Sequence, residues 1–450
     1  LVRESKGQFI SIILVVILAI TIYISMSMVG ENLYDSILDY YDITNFGDVF
    51  IEVNKIPKIG VNKLENIEGV KKAQGRVSVD VPLRVEDPDE KVRIRLVSLP
   101  KEEDSINRLY ILEGDELEDN SKSTVVLQQF SDARGIDLES KIIPYIEGRE
   151  YPLEVRGIVG SPEYIYLMEN EQALLPAPEE FGVAYVTEDF AQNILNYHGS
   201  YNEIMIKIDD EHLNRIDSIL EDIEDELERY GVKKIIKRDD QLSHSMMMQE
   251  VDQVKVMTTS ITILFLIVAA VIINIVLSRI IQKDRSSIGI MKGLGYDNLQ
   301  ILSHYVKYAG IIALISSVIG IVLSIPIAEG LTNLYIFYMN IPVFKMKIYY
   351  NYIIYGVLWT SLFCILSGVI GARKILYILP AHAMRPEAPK AGGRIWLEKI
   401  KFIWNRISFS WKMVIRNILR NKKRGAFLVL GIALTYSVIM IPVFMSSMWN

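Results

Sequence analysis

The chain has 450 residues, half of them hydrophobic, with a net charge of −7 and a single cysteine, Cys364. One thiol excludes an internal disulfide framework and any cysteine-based zinc site. The apolar residues gather in runs long enough to cross about 30 Å of hydrocarbon, which takes roughly 20 helical residues, and this points to a membrane protein. The net charge hides an asymmetry: residues 31–250 hold 24 Lys+Arg against 48 Asp+Glu, whereas residues 373–424 hold 14 against 2. A basic stretch flanked by spanning helices belongs on the cytoplasmic face.

In chain order, residues 1–8 carry Arg3 and Lys6, and residues 9–29 carry no charge. A signal peptide is one reading. The long apolar core, the missing A-x-A site and the later spanning candidates favour a retained membrane helix with a cytoplasmic N-terminus. Residues 30–258 are expected to form helical stalks and one extracytoplasmic domain. Leu33, Ile37 and Tyr41 recur at helical spacing after the first span. VFIEV (Val49–Val53), a short helix over Val61–Val70 and VSVDVPLRV (Val77–Val85) read as a β-α-β unit, with Pro82 marking an edge strand. VRIRLVSL follows as a strand. TVVLQQF, KIIPYI, YPLEVRGIVG and YIYLM are further strand candidates between Pro- and Gly-rich turns. NEIMIKI, an acidic helix with Ile216, Ile219, Ile223 and Leu227 on one stripe, and VKKIIKR read as a second β-α-β unit. The expected fold is an α-helical transmembrane bundle with an α+β extracytoplasmic domain, two β-α-β units around a β-rich insertion, carried on helical stalks.

Gln241–Thr259 leads without a breaker into the second span, 259–281. Residues 282–304 form a cytoplasmic loop or a short surface helix, with Lys283 and Arg285 at its front and Gly289, Gly293 and Gly295 within it. A third span (305–334) contains Pro326. An outer loop (335–350) and its margins carry Tyr335, Tyr338, Tyr349, Tyr350 and Tyr352, as an interfacial belt would. A fourth span (351–373), a basic cytoplasmic linker (374–424) and a fifth span (425–447) complete the chain. Lys6-Gly7-Gln8-Phe9 and Arg424-Gly425-Ala426-Phe427 precede the first and fifth spans alike. This implies that a second repeat begins near Ile407 and that the sequence is part of a longer protein.

Signatures of catalysis are missing. There is no G-x-x-x-x-G-K-[ST], no H-E-x-x-H and no G-x-S-x-G. His198, His212, His244, His304 and His382 lie in unlike segments, so no metal site, cofactor or nucleic-acid partner is expected.

The segment IQKDRSSIGIMKGLGYDNLQILSHYV resembles the signature of FtsX-like permeases, the membrane subunits of MacB/LolCE/FtsX-type ABC transporters, through Ile288-Gly289-Ile290-Met291-Lys292-Gly293-Leu294-Gly295. Ala372-Arg373-Lys374-Ile375-Leu376 with Pro380-Ala381 and Arg385, and WKMVIRNILRNKKRGAFLVLGIAL, are similar to other parts of that family. The resemblance implies a MacB-like periplasmic core domain and a plasma or inner membrane location. It implies a chain without catalysis that couples ATP hydrolysis by a cytoplasmic ABC ATPase dimer to movement of its outer domain. That movement would serve export or mechanotransmission. A second permease half and membrane lipids are the other partners. Carried over by position, the ATPase-contacting residues are Asp284, Arg285, Ile288, Gly289, Met291, Lys292, Gly293, Leu294 and Gly295. The alternative is a membrane sensor or receptor with an extracytoplasmic ligand-binding domain.

Overall fold

The computed structural model describes residues 6–373, apart from 88, 101, 103, 118–121, 171 and 174, together with 409–420 and scattered single positions after 373. In chain order, α1 (Lys6–Thr44) is followed by β1 (Val49–Pro57), α2 (Lys58–Leu64) and β2 (Val70–Arg76). Next come β3 (Ser78–Leu83), β4 (Val92–Leu99), β5 (Tyr110–Gly114), β6 (Ser123–Leu127) and α3 (Gln128–Arg134). Three two-residue strands follow, β7 (Lys141–Ile142), β8 (Tyr145–Ile146) and β9 (Arg149–Glu150), then β10 (Leu153–Gly160), β11 (Phe181–Thr187) and α4 (Glu188–Ile194). After β12 (Ser200–Ile208), α5 (Ile216–Leu227) and β13 (Val232–Lys237), the described chain is helical: α6 (Leu242–Lys283), α7 (Arg285–Gly293), α8 (Asn298–Tyr338), α9 (Tyr350–Ala372) and α10 (Phe409–Arg420). Among the described residues, four helices are long and apolar enough to cross a membrane: Phe9–Thr44, Leu242–Lys283, Asn298–Tyr338 and Tyr350–Ala372. At about 1.5 Å per residue the first three are each close to 60 Å long, twice the hydrocarbon thickness.

The described chain forms two compact units, one of Ile20–Thr262 with Val318–Val357, the other of Leu1–Ala19, Ile263–Ser317 and Leu358–Asn450. The first contains the α+β domain. Its four-stranded sheet has the order β13-β1-β12-β2, every neighbour antiparallel. This is the split β-α-β arrangement, in which two β-α-β units interleave their strands. Alternation along β1 explains why the sheet is buried on both faces. Val49, Ile51 and Val53 join Val61 and Leu64 of α2 and Ile219, Ile223 and Leu227 of α5 in one core. Phe50, with Met205 of β12, joins Leu33, Ile37, Tyr40 and Tyr41 of α1 and Met247 and Val251 of α6 in another.

The insertion between β2 and β12 is a second sheet, β3-β4-β11-β6-β10-β5, with β7 beside β10. β4 and β11 are parallel, as are β6 and β10. Several strands differ from the sequence expectation. The return strand of the first β-α-β unit is Val70–Arg76, and Ser78–Leu83 already belongs to the second sheet. VKKAQGR has too little apolar alternation to announce a strand. Its Lys71 points to solvent while Val70, Ala73 and Gln74 are buried. Gln128–Phe130 opens a helix instead of extending a strand. YIYLM is not a strand; a 3-10 turn over Pro162–Tyr164 leads into it. The central strand β11 escaped notice because FGVAYVT is buried at every position and so shows no period of two.

Two acidic turns of α1 hold the outer loop within this unit. Lys347 donates its backbone N–H to Asn32 Oδ1 (2.7 Å), and Asn32 Nδ2 donates back to the Lys347 carbonyl (3.0 Å), so a buried amide side chain pairs with extended backbone like a strand edge. Asp35 accepts from Lys347 Nζ (2.9 Å) and the Tyr349 hydroxyl (2.6 Å), and Glu31 accepts from the Tyr352 hydroxyl (2.7 Å). Tyr349 and Tyr352 are therefore bonded into the loop, whereas Tyr338 and Tyr350 are exposed as an interfacial belt requires. α8 passes through Pro326 without interruption.

In the second unit, Ile12 and Val16 of α1, Ile273, Leu277 and Ile281 of α6, Tyr305, Ala309 and Ile312 of α8, and Cys364 of α9 form one buried cluster. Residues 417–447, which include the expected fifth span, lie almost wholly outside the residues whose side chains are described, and most of the basic linker does too.

Candidate functional site

The stretch after the second long apolar run is helical nearly throughout. α6 gives way to α7 at one residue, Asp284 (φ −85°, ψ 9°). The hydrogen-bond ladder continues across it, with Asp284 N–H donating to Ile280 O (2.9 Å) and Ile288 N–H to Asp284 O (2.9 Å). Of the two shapes open for residues 282–304, the short helix is the one formed.

α7 ends in a Schellman motif. Tyr296 N–H donates to Met291 O (3.1 Å) and Gly295 N–H to Lys292 O (3.2 Å), with Gly295 at φ +93°. This backbone conformation, which an L side chain rarely adopts, is the reason for a glycine at 295. Asp297 then starts α8: its N–H donates to Gln300 Oε1 (3.1 Å), and Ile301 N–H donates to its carbonyl (3.2 Å). The turn between α7 and α8 is thus closed by caps on both sides.

The nine residues singled out from sequence divide into two groups. Ile288 and Gly289 are buried, and Ile288 belongs to the cluster of Ile280, Ile281, Ile301 and Tyr305, with Met291 against it. Asp284 and Arg285 are half-buried, and Asp284 Oδ2 accepts from the Tyr305 hydroxyl (3.2 Å). Lys292 is half-buried, and desolvation draws its ammonium below the usual lysine range. These residues secure α7 to its neighbours. Gly293, Leu294 and Gly295 face solvent.

Beside Leu294, the exposed side carries three apolar residues that were not singled out, Ile290, Tyr296 and Leu299. Ile290 is 51% exposed, Leu294 74%, Tyr296 54% and Leu299 68%. Four large apolar side chains at one capped turn make a patch that a solvated loop would not carry. The helical period contained the signal: Ile290 and Leu294 are four residues apart and share a face, while Ile288 and Met291 share the other.

Residues 259–380 match the family described as FtsX-like permease C-terminal. An uncharacterized ABC transporter permease of Methanocaldococcus jannaschii is 23% identical over 279 residues, which is 62% of this chain and 66% of that protein, just under two thirds of its length. Two solved domains are similar at 13% identity. The extracellular domain of the noncanonic ABC-type transporter YknZ from Gram-positive bacteria is covered to 99% by 42% of this chain, with a TM-score of 0.29. The periplasmic region of MacB from Actinobacillus actinomycetemcomitans is covered to 97% by 48% of this chain, with a TM-score of 0.30. The matched family stretch begins in α6, contains the whole α7–α8 turn and ends just beyond α9. The chain therefore matches an FtsX-like permease domain over residues 259–380 and is similar, at low identity, to an ABC transporter permease.

Proposed function

We propose that this chain is the membrane subunit of an ABC transporter, and that a separate ATP-binding chain docks on the α7–α8 turn from the cytoplasm. In this reading residues 9–29, 259–281, 305–334 and 351–373 span the membrane, the N-terminus is inside and the α+β domain outside. ATP-driven movement of the docked partner is passed along α1 and α6 to that domain, for export or mechanotransmission. A second permease half completes the complex.

The observation that carries the reading is the exposed apolar face of Ile290, Leu294, Tyr296 and Leu299 on a turn capped from both sides. Such a face is preorganised, so a partner would bind without first ordering it. The buried side of α7, through Ile288 and Met291, ties this face to α6 and α8. The test is Leu294→Glu in the full chain, reconstituted in lipid nanodiscs with its ATP-binding partner. Leu294 is exposed, so the substitution leaves the fold intact. Placing a charge at the centre of an apolar contact is expected to weaken association by about 2 kcal/mol or more, roughly 30-fold, and to lower partner-dependent ATP hydrolysis in parallel. Unchanged association and hydrolysis would refute both the docking face and its cytoplasmic orientation.

A further inference from the structure

The α+β domain holds a cavity of about 700 Å³ lined from both sheets, a size suited to a drug-sized molecule. Ile106, Ile111, Val125, Val159 and Met205 give it apolar walls. Tyr185 of β11 lines it as well; this side chain is 1% exposed, and its hydroxyl, with Ser161 beside it, has no hydrogen-bond partner of normal geometry among the described residues. A buried hydroxyl without a partner is uncommon, and here it sits on a cavity wall.

The charges decide which ligand fits. Arg76 also lines the cavity, but its guanidinium is bonded to Glu163 (2.6 and 2.5 Å) and Glu203 (2.8 Å), so its one positive charge is already outweighed by two carboxylates and does not favour an anion. The exposed lining residues include the carboxylates Glu102 and Glu116 and the guanidinium of Arg108, and Glu188 on the wall is half-buried. Glu102 is shared with Lys72 (2.9 Å), and Glu188 is held by the Tyr201 hydroxyl (2.6 Å). Residues 31–250, which include the whole domain, carry twice as many acidic as basic side chains.

We propose that this cavity binds an amphipathic cation, an apolar body bearing a protonated amine. The body lies against Ile111, Val125, Val159 and Met205. The amine sits at Glu116 and Glu188, and an oxygen of the ligand accepts from the Tyr185 hydroxyl. This goes beyond the coupling reading and does not need a bound ATPase.

The test uses the full chain in lipid nanodiscs without any ATP-binding partner, with signal from empty nanodiscs subtracted. Dansylcadaverine is the cationic probe, dansylamide the neutral one and anilinonaphthalene sulfonate the anionic one. Dansylcadaverine is expected to bind one per chain, at least five-fold tighter than dansylamide, and to weaken as salt is raised. Glu116→Lys, a change at an exposed side chain, should weaken it by about five-fold or more. Ile111→Trp, which fills the cavity, should abolish binding, whereas Ile111→Ala should retain it. Equal or tighter binding of the anionic or neutral probe would overturn the proposal, as would a dansylcadaverine affinity unchanged by both Glu116→Lys and Ile111→Trp. Failure here leaves the docking of an ATPase at Leu294 untouched, because that partner is not in the assay.

Discussion

Replacing Arg76 by Met should loosen the α+β domain far more than the loss of one surface charge would. Arg76 lies on β2 directly opposite Glu203 on β12, and Glu163 comes from the 3-10 turn after β10. Three hydrogen bonds of 2.5–2.8 Å join the guanidinium to these two carboxylates, and Asn107 Nδ2 donates to Glu163 at 2.5 Å. The side chains of Arg76 and Glu163 are only 4% and 5% exposed. Removing the one cation leaves two carboxylates facing each other in a dry site, a change worth about 3–5 kcal/mol. The reference is Arg84→Met, whose pair with Glu150 (3.0 Å) is about half exposed on both sides and is worth about 0–1 kcal/mol. Hydrogen exchange of the full chain, read by mass spectrometry on peptides covering residues 70–76 and 200–208, would show protection falling by roughly 100- to 4,000-fold for Arg76→Met.

The pH response adds a sign. Burial pushes the Glu203 carboxyl up, but Arg76 outweighs it and holds the carboxyl below its usual range. In the native protein this stabilisation is present above the ordinary carboxylate pKa of about 4 and is lost as pH falls through the lower folded value. In Arg76→Met burial acts alone, the folded pKa rises, and the variant should regain protection as pH is lowered from 7 towards 5. An Arg76→Met protein no less protected than Arg84→Met, or one further weakened between pH 7 and 5, would refute the reasoning.

Other expectations concern the outer loop and the helix packing. Asp35 feels a burial that raises its pKa, but the bonds from Tyr349 and Lys347 prevail and lower it. Its hold on the loop should therefore persist at neutral pH and fade only as pH drops below about 4, and Asp35→Asn should raise proteolysis within residues 341–349 at pH 7 several-fold; equal cleavage of both proteins would count against the latch. A Cβ on Gly320 would lie 2.1 Å from Ile20 Cγ2, so Gly320→Leu must push α1 and α8 apart locally. Its melting temperature in detergent should fall by several degrees, for a cost of about 1–3 kcal/mol; Gly330→Leu, with open space around it, is the control that should melt like the native protein.

Most of the long helices could be read from sequence because their apolar runs are too long for a strand or a loop. The α+β class was legible too: α5 carries its period openly, with one face in the core and the other in water, and β1 alternates over Ile51, exposed Glu52 and Val53. Legibility failed where a segment is buried or polar throughout. FGVAYVT is central and has no wet face, and VKKAQGR is a strand through its hydrogen bonds to β12 more than through its side chains. At the α7–α8 turn, Gly295 has a backbone reason to be there. Which apolar residues face outward was not legible, because an apolar residue on a nine-residue helix can face either way, and only the neighbours, Ile301 and Tyr305 of α8, decide that Ile288 turns inward and Ile290 outward.

The neighbouring positions of β1 and β13 have a consequence for how such a domain is exchanged. The chain enters the four-stranded sheet by β1 and leaves it by β13, and the two are hydrogen-bonded to each other. Arg238 closes the gap with donors to the Phe46 (2.7 Å) and Gly47 (3.0 Å) carbonyls and an ion pair to Asp48 (2.5 Å). Everything between residues 49 and 237 is therefore covalently attached through two adjacent threads, as an inserted cassette is, besides packing on α1 and α6 through Phe50 and Met205. Any other module whose ends lie one strand spacing apart, about 4.8 Å, could take its place without changing how α1 and α6 are joined.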